Sequence, residues 1–150
     1  MLSTLALYAA TFLMGVVSGT IPFVINLEIY LLGVAALSKA PAPAIVGLAA
    51  AGQILAAYIL YLAGRGVLGG KFIRWKRREA AVKAFEKYRA HSFALVAISS
   101  VTGIPPFYGV SLAAGTVRFP LARFLIVGMI GRTVRFTLVY LAPAWLHLKR

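Results

Sequence analysis

The chain has 150 residues, 61% of them hydrophobic, with a mean hydropathy of +0.89, sixteen Lys and Arg against three acidic residues, and no cysteine. A soluble domain of this size cannot bury so much apolar surface, which leaves lipid as the solvent and room for a single domain. The lack of cysteine excludes disulfides and thiolate chemistry, and the net charge of +13 lies between long uncharged runs, a pattern for anionic lipid and not for nucleic acid.

Leu2 to Gly19 is apolar and has neither the charged start nor the small-residue cleavage site of a signal peptide, so it is expected to stay in the mature chain. Thr20-Ile21-Pro22 reads as a turn, and Phe23 to Ser38 is apolar apart from Asn26 and Glu28. Residues 1–38 are therefore read as an N-terminal helix and a first hairpin. Leu2 to Gly19 either crosses the bilayer fully or forms the first arm of that hairpin, and the two options put the N-terminus on opposite sides. Beyond Lys39-Ala40-Pro41 the chain is uncharged until Arg65. At ~1.5 Å per residue this run covers a ~30 Å hydrocarbon core, so residues 40–65 are predicted to span.

Nine basic residues follow between positions 65 and 89: Arg65, Lys71, Arg74, Lys76, Arg77, Arg78, Lys83, Lys87 and Arg89. The positive-inside rule makes segment 65–91 cytoplasmic. Within it Phe72, Trp75, Val82 and Phe85 recur at helical spacing opposite the charges, which predicts an amphipathic helix over 70–90 lying on the membrane. Arg74, Trp75, Lys76, Arg77 and Arg78 are its candidate membrane-surface residues.

Ser92 to Val117 is uncharged but is interrupted by Gly103-Ile104-Pro105-Pro106, and adjacent prolines break a helix. Each arm has about twelve residues, or about half a bilayer. Residues 92–117 are predicted to form a re-entrant hairpin and 119–146 a spanning helix.

Lys39-Ala40-Pro41 aligns with Arg118-Phe119-Pro120 at an offset of 79, as do Gly52-Gln53 with Gly131-Arg132 and Tyr61-Leu62-Ala63 with Tyr140-Leu141-Ala142. Ile21-Pro22-Phe23 resembles Ile104 to Phe107 at a slightly larger offset. A hairpin plus one spanning helix makes one net crossing, so its second copy is inverted, with a binding site expected near the midplane; the alternative is chance similarity in an apolar sequence of low diversity. The predicted fold is an all-α integral membrane protein, an inverted repeat of re-entrant hairpin plus transmembrane helix, with a cytoplasmic amphipathic helix.

Glu28 is the only acid outside the basic segment, and a lone carboxylate in hydrocarbon costs about 2.5–3.5 kcal/mol at a helix centre. It is a candidate proton-titrating or counter-charge residue, or else it sits at the aqueous rim. Arg132 and Arg135 share a face near the middle of the last helix, where they would either fork a phosphate or carboxylate or pair with Glu28. Gln53 holds the matching midpoint of the earlier spanning helix and joins them as a headgroup-binding candidate. A half-helix starting after Pro22 or Pro106 would point its N–H groups into the membrane. Asn26, Ser99, Ser100, Thr102 and Tyr108 could satisfy freed backbone groups near the tips, which comprise Pro22, Asn26, Thr102, Pro105 and Pro106. No nucleophile motif, carboxylate pair or metal spacing is present, so neither an enzyme nor a cofactor is expected.

With the proline-tipped hairpins, Gly52-Gln53 through Tyr58 to Gly64-Arg65, and the run from Pro105-Pro106 through Ala114-Gly115 and Phe124 to Gly131-Arg132, the chain resembles the DedA family. This group is also called the VTT or SNARE-associated membrane proteins, and the pattern is most similar to its small YqaA-like members, over roughly Phe12 to Phe136. The resemblance implies two opposed re-entrant hairpins in a membrane, expected to be a prokaryotic cytoplasmic membrane, and transport or scrambling of phospholipids or polyprenyl phosphates, coupled to protons in some members. Glu28 matches the acid after the first tip. The family's further acid before that tip is absent, Gln53 stands where an acid often follows the helix glycine, and the second tip lacks the arginines of larger members.

The expected function is thus translocation or scrambling of lipids with anionic headgroups, with protons as a candidate coupling ion and a homodimer or larger homo-oligomer expected from the small core. The alternatives are a secondary transporter of small ions or solutes and a non-transporting assembly factor or scaffold.

Overall fold

The structure, a computed structural model, describes residues 2–21, 26–66, 83, 86–87 and 91–147. Pro22 and most of the segment 70–90, with Arg74, Trp75, Lys76, Arg77 and Arg78, lie outside the described residues. Lys83, Glu86 and Lys87 have helical backbone and exposed side chains.

The described residues form six helices and no strand: α1 (Leu2–Thr20), α2 (Leu27–Leu37), α3 (Ala42–Gly64), α4 (Ser92–Thr102), α5 (Phe107–Thr116) and α6 (Leu121–His147). In lipid every backbone group must bond within its own segment, so helices are what an apolar chain of this kind can form. Three of them, α1, α3 and α6, are long and apolar enough to cross a membrane. The others are 10 or 11 residues long, about 15–17 Å as helix.

Local chemistry sets the helix ends. Asn26 caps α2 by accepting the Glu28 N–H on its side-chain oxygen, and Glu28 lies in the first turn, where a carboxylate suits the helix dipole. The half-helix expected after Pro22 thus starts after Asn26, where a side-chain acceptor fixes the start. Pro43 occupies the first turn of α3, where a missing N–H costs nothing. Gly103 ends α4 at φ 77°, the left-handed conformation that glycine takes without penalty. The arms on either side of this turn have 11 and 10 residues, slightly short of the expected twelve, because the turn from Gly103 to Pro106 draws on both.

Packing gives each helix a direction. Gly15 meets the backbone of Ala49 and Gly52, and Gly19 faces Gln53 and Ala56, so α1 runs parallel to α3 and ends beside its middle residue, Gln53. Gly131 of α6 packs on Ser100 near the end of α4, so α4 likewise ends beside the middle of α6. The short second arms cross over to the other long helix. Gly115 of α5 lies on the backbone of Tyr61 and Gly64 on that of Leu112, which docks α5 along the second half of α3. Leu31 and Val34 of α2 join Phe136 and Tyr140 in one apolar cluster along the second half of α6.

Helices α3 and α6 run antiparallel, tied at both ends by equivalent bonds. Tyr61 donates its hydroxyl to the Phe119 carbonyl at the entry of α6 (2.5 Å), and Tyr140 donates to the Ala40 carbonyl at the entry of α3 (3.1 Å). Both donor and acceptor positions differ by the offset of 79 found in the sequence.

The distribution of polarity suits lipid. Leu5, Leu13, Ile29, Leu37, Phe93, Ile98, Ile126, Ile130, Leu138 and Trp145 are exposed on the outside. Thr11, Ser18, Ser99, Ser100, Ser111 and Arg132 are buried inside. The small hydroxyls return a bond to carbonyls of their own helix or, for Ser99, to Pro105, and they permit close helix approach.

Candidate functional site

A cavity of about 260 Å³ opens where the helix ends converge. Its walls are the end of α1 (Ser18, Gly19), the start of α2 (Asn26, Leu27, Glu28), the middle of α3 (Gln53, Ala57, Leu60), the second turn and start of α5 (Gly103, Pro106, Phe107, Tyr108, Ser111) and the middle of α6 (Arg132, Arg135, Phe136). Segments distant in sequence thus bring all the charged and amide candidates, Glu28, Gln53, Arg132 and Arg135, to one chamber. Asn26 and Pro106 line it too, while Thr102 and Pro105 are exposed beside it in the turn.

Glu28 and Arg135 form an ion pair. The Arg135 Nε donates to Glu28 Oε1 at 2.6 Å, and one terminal nitrogen donates to the same oxygen. The other donates to the Val101 carbonyl at 3.2 Å, so one guanidinium on α6 joins the start of α2 to the end of α4. A side chain on Gly103 would meet that guanidinium within 2.6 Å, a second reason for glycine at this turn. The pair is partly open, with side-chain exposures of 23% for Arg135 and 34% for Glu28.

Arg132 is held differently. It is 8% exposed, and its guanidinium carbon lies 4.5 Å from the centre of the Phe107 ring, within the range of a cation–π contact. Phe107 stacks in turn on Phe124, and Phe124 on Tyr61, so the guanidinium rests on an aromatic column reaching the end of α3. Its buried Nε has no hydrogen-bond partner, and no carboxylate pairs with it among the described residues. An unsatisfied buried donor costs about 1–3 kcal/mol, more when charged, and the chamber beside it is where a water or a ligand oxygen would meet it.

Of the two readings of Arg132 and Arg135, a shared fork and a pair with Glu28, Arg135 forms the pair and Arg132 does not. Helical spacing puts both on one face, but Glu28 claims one and Phe107 the other. Gln53 donates from Nε2 to the Ser18 hydroxyl at 3.0 Å, tying the end of α1 to α3 at the cavity wall. Thr102 serves the turn backbone, receiving the Ile104 N–H and donating back within α4 and the turn. Ser100 bonds to Ala97 in its own helix and not to the tip. Sequence reasoning missed Phe107 as the support of Arg132 and Ser18 as the partner of Gln53. Phe107, directly after two prolines, was visible as a residue at a tip, but nothing local indicates which ring meets which cation.

Searches of protein-family models, curated proteins and solved structures find no match to the chain.

Proposed function

We propose that this chain is a translocase or scramblase for lipids with anionic headgroups, built on the inverted-repeat plan of the DedA family. The observation that carries the reading is Arg132: a buried, unpaired guanidinium in a chamber at the middle of the long helices, where two short helices begin. A phosphate fits such a donor, acyl chains can remain among the exposed apolar side chains, and the α5 N-terminus adds favourable dipole.

The repeat is supported by the exchange of equivalent contacts. First arm on own long helix, second arm on the other's, and tyrosine to the other's entry carbonyl all occur twice. On this reading α1–α2 and α4–α5 are re-entrant hairpins, both ends of hairpin one lie on the Lys39 side, and Arg65, Arg118, Arg123 and segment 65–91 face the cytoplasm. The N- and C-termini then both lie outside. Glu28 is the candidate proton site and Gln53 a polar wall for the headgroup. A homodimer or larger assembly would cover part of the exposed apolar surface.

The test is a vesicle assay following fluorescent phospholipid and polyprenyl phosphate, with and without a pH gradient, for the parent, Arg132→Gln and Glu28→Gln. Movement lost in Arg132→Gln supports the role of the cation. Dependence on the gradient that disappears in Glu28→Gln identifies coupling, whereas gradient-independent movement identifies a scramblase. No lipid movement in correctly inserted protein overturns the proposal.

The Glu28–Arg135 pair also favours a second reading, a non-transporting scaffold in which those charges only fix the hairpins. It accounts for Arg135 but leaves Arg132 without a role. It predicts that removing the charge of Arg132 alone preserves function in cells.

A further inference from the structure

The cavity's charge is set by three side chains. Glu28, Arg132 and Arg135 are the only charged residues on its walls among the described residues. Arg135 gives two of its donors to the Glu28 carboxylate and a third to the Val101 carbonyl, so that pair brings no net charge and no spare cation. What remains is one guanidinium, Arg132, held on Phe107 with its Nε unmatched. Two helix starts face the chamber: that of α2 is capped by Asn26 and carries Glu28 in its first turn, and that of α5, without a side-chain cap, adds about half a charge, so Arg132 remains the one full positive charge without an anionic partner.

We infer that this site selects a singly charged phosphate, a phosphodiester, over the doubly charged monoester. The inference rests on the translocase reading for the site's location and deepens it by naming the ligand's charge, which favours phospholipid diesters over polyprenyl phosphate, a monoester. A diester monoanion neutralises Arg132 and leaves the Glu28–Arg135 pair intact. A monoester dianion carries a second charge that no free cation meets, and in a low-dielectric chamber it must either take Arg135 from Glu28, stranding the carboxylate, or remain uncompensated. A zwitterionic diester brings an ammonium for which the only carboxylate is already engaged. Glu28 is therefore the specificity-determining residue: it touches no ligand in this scheme but takes the second arginine out of use.

The experiment is calorimetric binding to the purified protein in a neutral detergent at pH 8.5, above the second ionisation of a phosphomonoester, which is about 6 for a soluble one. The probes are short-chain phosphatidylglycerol, phosphatidic acid and phosphatidylcholine, each beside its chain-free counterpart: glycerophosphoglycerol, glycerol 3-phosphate and glycerophosphocholine. The parent should bind phosphatidylglycerol at least about tenfold more tightly than phosphatidic acid, and more tightly than phosphatidylcholine. Glu28→Gln, which frees Arg135, should bring the diester-to-monoester ratio to one or below. Equal or tighter binding of phosphatidic acid by the parent overturns the inference, as does absence of binding by either phosphate. An unchanged ratio in folded Glu28→Gln also overturns it, and the parent comparison stands alone if that variant does not fold. The same charge order in the chain-free compounds at similar affinity assigns the site to a soluble phosphodiester; binding of the lipids only assigns it to a headgroup. Charge-ordered binding without movement across vesicles upholds this inference and overturns the translocase, whereas movement without charge order does the reverse.

Discussion

At the scale of single residues, the site turns on how two arginines three positions apart come to differ. Arg135 meets a carboxylate and Arg132 meets a ring, so removing either has a distinct consequence. Arg135→Gln leaves Glu28 without its cation. The pair is neither fully exposed nor fully buried, and the expected loss is about 1–3 kcal/mol, between the values for surface and buried pairs. Adding Glu28→Gln should restore part of it, which a double-mutant cycle of detergent unfolding would read as positive coupling. Gly103→Ala forces a Cβ against the Arg135 guanidinium at φ 77° and should cost about 1–2 kcal/mol in the same unfolding measurement, from the backbone alone. The sequence makes the three charges visible by their rarity in apolar runs. It does not reveal their pairing, because Glu28 and Arg135 are 107 positions apart and only the folded hairpins bring them together.

For the helices, the close contacts are backbone to backbone and use glycine where α1 meets α3 and where α5 meets α3. Gly52→Ala and Gly115→Ala should lower the amount of folded protein in membranes sharply, since each new Cβ meets a carbonyl of the neighbouring helix. Gly47→Ala, with open space around it, should be neutral or stabilise by up to about 1 kcal/mol through helix propensity. Such a contrast within one helix separates packing from general intolerance. The tyrosine bonds belong to this scale too. Tyr61→Phe and Tyr140→Phe should each cost about 1 kcal/mol in detergent unfolding, with effects that add, since they sit at opposite ends of the helix pair. Run lengths and prolines make the long helices and the second turn legible in the sequence. The start of α2 is less so: Pro22 draws attention, while the physical start signal is Asn26 with Glu28 two residues on, a cap readable only once the helix is known.

Across the whole molecule, α1 shows what length alone leaves open. Its 19 residues are enough to cross a bilayer, yet its packing ends it beside the middle of α3. The sequence leaves both options open because apolarity and length are the same for a crossing helix and for a long hairpin arm; the contacts of Gly15 and Gly19 with α3 are what favour the arm in the proposed topology. The proposed topology has a direct check. Tags at both termini should be accessible from outside intact cells and a tag placed between Gly66 and His91 only after permeabilisation; opposite sides for the two termini would contradict it.

Because the second arm of each half lies along the long helix of the other half, neither half carries a complete wall of its own. Each is finished by its sibling, in the manner of two clasped hands. A chain cut between Gly66 and His91 should therefore stay together and retain the chamber, and the two pieces made as separate polypeptides should co-purify, whereas either piece made alone should be degraded. The covalent link between the halves is then dispensable for the finished protein, and what it provides is equal numbers of the two pieces at the moment they meet.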